Sequence, residues 1–369
     1  MKTIKYDINE FEEDRHHFRR TELILTVKSF DLLAIRKRYL QSRSRSKTGS
    51  VERREPAQGG IVYIEVENGS IVHFEILAKI RESRGIDISG SRIALSSENR
   101  IYIFNHNEQE PQIIDHPWLS YIHTVRFSSD ITKLLASSSG LDSLLEFDLK
   151  NGAACWEWVA WEHGYNEGEN PETRQKHILT RHALEAQHLK KEGKNVIYIA
   201  KHGKKSLPTA LRAAFMNSAE YSTDDKVLAT LFHHGTVIEI SKTTNTWKVV
   251  YQGMSKPHGG MLVKNAFLVT DTGGGQVILK KDAMIMIYDF SALPGKSKEL
   301  AELEWFQFSR LRDNTIVAID SNRNAIIFID IRAKKRMSLP YDGNWAIQEF
   351  CFVTKASKDT FKKIKDWFQ

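Results

Sequence analysis

The chain is predicted to be an all-β protein: a β-propeller of about six blades, each a four-stranded antiparallel meander. Three observations point there. Short apolar runs of six to eight residues recur along most of the sequence. Turn dipeptides such as Asn68-Gly69, Asn151-Gly152 and Asp342-Gly343 lie between or after them. The runs also group into a repeat of roughly 33 to 40 residues, the period of a propeller blade.

The repeat is clearest in YIHTVRFSSDITKLLASSSGLDSLLEFDLKNGAACWEWV (121–159) and MNSAEYSTDDKVLATLFHHGTVIEISKTTNTWKVV (216–250). The two match almost element for element. Residues 83–115 and 305–339 fit the same order, and 258–290 fits less regularly. The N-terminal runs TELILTVK, DLLAI, GGIVYIEV and SIVHFEI supply one more blade that lacks an innermost strand. NWAIQEFCFV (344–353) is the candidate to complete it and close the ring, which would remove the open edges. Five or seven blades remain compatible with the spacing. The whole chain, 1–369, is read as one propeller domain.

Two segments fall outside the repeat. Residues 36–58 form a basic loop, of which 36–54, RKRYLQSRSRSKTGSVERR, carry eight Arg or Lys against the single acid Glu52. That difference equals the entire formal charge of +7. The stretch has few apolar residues and is expected to be a solvated, flexible loop, with phosphate binding as the alternative. With Tyr39 its one aromatic residue, base stacking on a nucleic acid is not indicated. Residues 162–215 form an insertion with a partly helical look, in which Ile178, Ala183, Ala186 and Leu189 share a face. Within the tail 355–369, residues 358–369 read as an amphipathic helix packed on the propeller, with Phe361, Ile364, Trp367 and Phe368 on one side.

Composition is that of a globular domain, 41% hydrophobic and 27% charged. No apolar stretch is long enough for a membrane helix, and acidic residues occupy the place of a signal-peptide core. Cys155 and Cys351 form no disulfide framework. A cytoplasmic location is the expectation from these facts.

The segments IHTVRFSSDITKLLASSSGLDSLLEFDLKNG (122–152) and KPHGGMLVKNAFLVTDTGGGQVI (256–278) resemble six-bladed propellers of the NHL and gluconolactonase-like superfamily. The resemblance covers about 60 to 354. It implies a six-bladed fold shared by metal-dependent lactonases, lyases and hydrolases and by pure interaction modules. The acidic and asparagine metal ligands of the lactonases are not evident at the strand ends.

In a propeller the first strand of each blade lines the axis. Residues opening those strands are Arg84, His123, Asn217, His258 and Gln307, each polar in apolar surroundings. They predict a polar axial pocket, or a channel holding water. His123 and His258 are the candidate catalytic and metal-ligating pair, with a divalent metal such as zinc or iron as the candidate cofactor. A third ligand would have to come from elsewhere, and His233 and His234 are candidates, with His234 also a candidate ligand-binding residue. Without a metal, one histidine could act as acid or base while Arg84 holds an anion. Asn217 and Gln307 would orient the ligand.

The aromatic run Trp156, Trp158, Trp161, His163 and Tyr165 either packs between blades or walls a pocket. The three glycines 273–275 read as a tight turn and not a phosphate loop, since no Lys-Ser/Thr or helix follows. Other histidines of the insertion, His177, His182, His188 and His202 among them, are expected to be solvated; His202 lies outside the residues described below.

Two functions follow. One is a ligand-binding or catalytic propeller, a hydrolase or lyase if an enzyme, acting on a small polar or anionic molecule at the axis. The other is a non-catalytic module that binds a protein partner through its rim, insertion and basic loop.

Overall fold

A computed structural model describes residues 2–42, 47–200 and 206–369. Six of its sheets are built on four antiparallel strands, consecutive in sequence in five of them and, in the first, completed by a strand from near the C-terminal end. Sheet one joins Ile347–Phe352, Thr21–Val27, Gln58–Glu67 and Ser70–Arg81 in that order. Sheets two to six are meanders running from Ile86 to Asp115, Ile122 to Val159, Met216 to Gln252, His258 to Asp289 and Phe306 to Pro340. The innermost strands touch their neighbours in cyclic order, and the last meets the first. The fold is a β-propeller.

The middle strands of each sheet are covered on both faces by the adjacent sheets. Their sequences therefore read as continuous apolar runs and not as alternation. Thr315–Asp320 and Ala325–Asp330 are examples, buried along almost their whole length.

The ring closes through antiparallel pairing of Ile347–Phe352 with Thr21–Val27, Phe350 opposite Leu25 and Cys351 opposite Ile24. The N-terminus adds two further strands. Lys2–Asp7 pairs parallel to the outer strand Met284–Asp289 of sheet five, and Glu12–Glu13 pairs with Lys335–Pro340 of sheet six. The N-terminal chain thus extends the outer edges of sheets five and six before it enters sheet one.

The insertion departs from expectation. Ile178 lies on a strand, Lys176–Thr180, within a small three-stranded sheet with Glu167–Glu169 and Val196–Tyr198. The helix is shorter, Ala183–Lys191. His177 is buried and bonded to the Leu211 carbonyl at 2.8 Å, so it is not a solvated residue. The C-terminal helix Phe361–Phe368 lies across sheets one and two, with Phe361 against Tyr63 at 5.2 Å and Phe368 against Tyr102 at 5.2 Å between ring centroids. Trp156 and Trp158 both reach Asn245 of sheet four, so this part of the aromatic run packs between blades. No helix among the described residues is long and apolar enough to cross a membrane.

Candidate functional site

The inner strands share a local device. The first strand of sheets three, four and six, and the closing strand of sheet one, each break register after the first residue. The residues left without a ladder partner are His123, Asn217, Gln307 and Gln348. A bulge re-aims its side chain, here at the start of strands that face the axis. In sheet five the irregularity falls on Gly259 and Gly260, directly after His258. Gly259 has φ +65°, and a Cβ there would lie 2.8 Å from the Phe308 ring, so glycine is required.

Residues leading into the inner strands are strained. Glu82, Tyr121, Phe215 and Lys256 all have φ between 49° and 59°. Non-glycine residues seldom adopt this conformation, at about 1–3 kcal/mol each. Tyr121, Phe215 and Lys256 line one axial cavity of about 350 Å³, the size of a small-ligand pocket.

The cavity brings together Arg84, His123, His258 and Gln307, as their equivalent positions implied. Asn217 and His234 are not part of its lining. The Asn217 amide donates to the Pro257 carbonyl at 2.8 Å, and His234 is bonded to the Ala213 carbonyl at 3.2 Å. His233 is likewise tied to the Thr209 carbonyl at 3.0 Å.

The two axial imidazoles are close, with ring centroids 6.1 Å apart. Each is held by a hydroxyl from the residue just after the second strand of its sheet, Ser139 for His123 at 2.9 Å and Thr272 for His258 at 2.8 Å. Burial, Arg84 and then His258 push the His123 pKa well below its ordinary value. Burial and Lys28 bring His258 down to about 3. Both rings are neutral hydrogen-bonding groups at physiological pH. So depressed a pKa makes a weak proton acceptor.

The donor set does not suit a metal ion. Among the described residues no three His, Cys, Asp or Glu side chains converge as a metal site would require. The rings face cationic side chains, which repel a metal ion.

Charge is the dominant property of the cavity. Lys28, Arg38, Arg53, Arg54, Arg84, Arg212 and Lys256 line it, against one carboxylate, Glu52. Arg84 and Arg54 share Glu82 behind the wall, at 2.8 and 3.1 Å, and Arg53 pairs with Glu98 at 2.7 Å. Lys28, Arg38, Arg212 and Lys256 have no carboxylate within ion-pair distance among the described residues. The guanidinium groups of Arg84 and Arg212 lie 4.1 and 4.5 Å from the Tyr121 ring centroid, attracted by its π face. Burial brings the Arg212 pKa down to about 10, the mark of a cation short of compensation.

Several of these cations come from the segment expected to be a flexible loop. It is instead an ordered strap over the cavity, apart from 43–46, which lie outside the described residues. Asp31 caps the helix Leu32–Gln41 by accepting from the Ala34 amide. Arg36 is buried against sheet six, donating to the Ser321 carbonyl and the Asn324 side chain. Tyr39 packs on Trp305 at 4.8 Å. Farther along, the Ser50 carbonyl accepts from the Ala210 amide, and Arg53 and Arg54 reach their carboxylates. Composition suggested a solvated loop because its few apolar residues cannot form a core, but its cations find backbone carbonyls and carboxylates on the rim.

Sequence reasoning missed Lys28, Tyr121, Arg212, Phe215, Trp305 and Gln348. For Gln348 a signal existed: AIQEF matches YIHTV and WFQFS, with the polar residue in the bulged place. Lys28 and Arg212 carry no repeat signature, since one follows a strand and the other lies near the end of the insertion.

No family model and no curated protein sequence matches the chain. Solved structures match in fold. The crystal structure of a nidogen–laminin complex aligns over 91% of this chain and 98% of that one at 10% identity, TM-score 0.53. A protein of unknown function from Bacteroides caccae aligns over 91% and 100% at 13% identity, TM-score 0.52. A catalytically inactive virginiamycin B lyase from Staphylococcus aureus with quinupristin aligns over 71% of each chain at 11% identity, TM-score 0.46.

Proposed function

We propose that the protein binds a small anionic molecule in the axial cavity beneath the basic strap. The observation that carries this is the excess of seven cationic side chains over one carboxylate on a cavity of about 350 Å³. A multiply charged carboxylate or phosphate would offset the charge of Arg38 and Lys256, which line the cavity with no carboxylate within ion-pair distance among the described residues. Neutral His123 and His258, with Gln307 and Gln348, would orient its polar atoms, while Trp305 and Phe215 supply apolar walls. This places His123 and Arg84 in ligand recognition first and in chemistry only if a reaction accompanies binding. Membership of the NHL and gluconolactonase-like superfamily is part of the same proposal and rests on the repeat.

Thermal unfolding and calorimetry with phosphate, citrate and 2-oxoglutarate test it. Saturable stabilisation is expected, about 2.7 kcal/mol at a ligand concentration 100 times Kd. The affinity should fall with salt and weaken at least about tenfold in the Arg38→Gln/Lys256→Gln variant, since a tenfold change needs only about 1.4 kcal/mol. Absence of stabilisation by any of the three at low salt would reject the reading.

A protein partner is a second reading, supported by one feature. Val72, Phe74 and Ile76 are exposed at alternate positions of the outer strand Ser70–Arg81. Such a stripe suits an interface on the rim.

A further inference from the structure

The axial cavity holds two primary amines, Lys28 and Lys256, and they differ. Lys256 is half-buried beside the strap, its ammonium over the Tyr39 ring at 5.2 Å. Lys28 is 9% exposed and directly follows the strand Thr21–Val27, where its amide donates to the Ala346 carbonyl at 3.0 Å on the closing seam. The neighbouring strand approaches so closely that a Cβ on Gly59 would lie 2.0 Å from the Val27 carbonyl oxygen and 2.8 Å from the Lys28 carbonyl carbon. The backbone at Lys28 is therefore held in place, and its side chain extends into the cavity. Its Nζ lies 5.6 Å from the Trp305 ring centroid, with no carboxylate in ion-pair distance among the described residues. Arg84 and Arg54 are the neighbouring charges that act most strongly on it.

We propose that Lys28 is a covalent site, whose amine forms an imine with the carbonyl carbon of a 2-oxo acid bound in the cavity. This rests on the anion-binding reading above and names a ligand class for it. Lys256 lies over the Tyr39 ring, which packs on Trp305, the ring that Lys28 Nζ faces; the carboxylate of a 2-oxo acid sits next to its carbonyl, so a carboxylate held by Lys256 presents the carbonyl carbon to the same region as Nζ. The Nζ lone pair attacks that carbon to give a carbinolamine. Loss of the former carbonyl oxygen as water, with both amine protons, leaves the C=N bond. The step involves no oxidant or reductant.

The environment favours the reactive form of the amine. Burial, with Arg84 and Arg54 beside it, lowers the Lys28 pKa well below that of an ordinary lysine. An ordinary lysine is neutral in only about 1 molecule in 2,500 at pH 7. Desolvation next to other cations is an established way to activate a lysine for imine formation.

The test is borohydride trapping. The full chain is incubated with pyruvate at pH 7, reduced with sodium borohydride and mapped by peptide mass spectrometry. Labelling of Lys28 is expected at least about tenfold above Lys256 and surface lysines, because a larger share of this amine is neutral. Phosphate should protect Lys28, and lactate, which lacks the carbonyl, should give no adduct. Lys28→Arg should abolish the cavity label while phosphate still raises Tm. Should that variant fail to fold, site mapping and phosphate protection in the unmodified protein decide. Lys28 labelled no more than surface lysines, in protein that phosphate stabilises, overturns the imine and leaves anion binding standing. Loss of phosphate stabilisation in the unmodified protein overturns the anion-binding reading itself.

Discussion

Replacing Glu82 with Gln separates the folding role of the cavity's charges from their binding role. Glu82 is 1% exposed and lies 2.8 Å from Arg84 and 3.1 Å from Arg54, while accepting from the Ala57 amide at 3.1 Å. Burial raises its pKa, but Arg84 and Arg54 outweigh that and the net shift is downward. A carboxylate with a lowered folded pKa contributes stability that is present above its unfolded pKa, about 4.3, and is lost as pH falls through the folded value. At pH 7 the contribution is complete. Removing one partner of a buried ion pair costs about 3–5 kcal/mol. Gln keeps one acceptor oxygen, so about 3 kcal/mol is expected. With a urea m-value of about 3 kcal/mol/M or more, the midpoint should fall by up to about 1 M. The same change removes a negative charge from behind the cavity wall and frees two arginines. Phosphate should then bind about tenfold tighter, a difference of about 1.4 kcal/mol, and recover part of the lost stability. Urea titrations with and without phosphate measure both quantities. A variant that is both less stable and weaker in phosphate binding would show that Glu82 shapes the cavity and does not set its charge, refuting the electrostatic reasoning.

The buried neutral state of His258 has a pH signature. With a folded pKa of about 3 against about 6.5 unfolded, stability should fall by about 1.4 kcal/mol per pH unit as pH drops below 6.5. His258→Gln should flatten the slope measured between pH 6 and 5 by that amount, and an unchanged slope would mean the ring is charged in the native state. The ring seam is tested by Phe350→Ala. Phe350 is fully buried, with Phe308 and Phe352 rings each 5.7 Å away, so a loss of about 3–5 kcal/mol is expected in urea unfolding. A loss below about 1 kcal/mol would show that the closing strand is not part of the packed core.

The propeller was legible in the sequence because each blade repeats the same local problem. A middle strand buried on both faces must be apolar throughout, and a tight turn must carry Asn, Asp or Gly, so YIHTVRFSSDITKLLASSS and MNSAEYSTDDKVLATLF are alike for physical reasons. The same logic located the closing strand, since an unpaired innermost edge calls for a partner and NWAIQEFCFV fits. Repetition also brought Arg84, His123, His258 and Gln307 to one place, because equivalent positions in a ring converge on its axis.

Repetition could not assign the parts of the site that occur once. The bulge that aims His123 and Gln307 at the cavity aims Asn217 too, yet Asn217 bonds to Pro257 instead, a contact set by how two sheets meet. Whether 36–54 would be loop or strap depended on rim carbonyls and carboxylates far away in sequence, Ser321 for Arg36, Glu98 for Arg53 and Glu82 for Arg54. Lys28 and Arg212 read as ordinary surface cations in a linear chain. Burial without a carboxylate in ion-pair distance gives them their character, and burial exists only once the ring has closed around them.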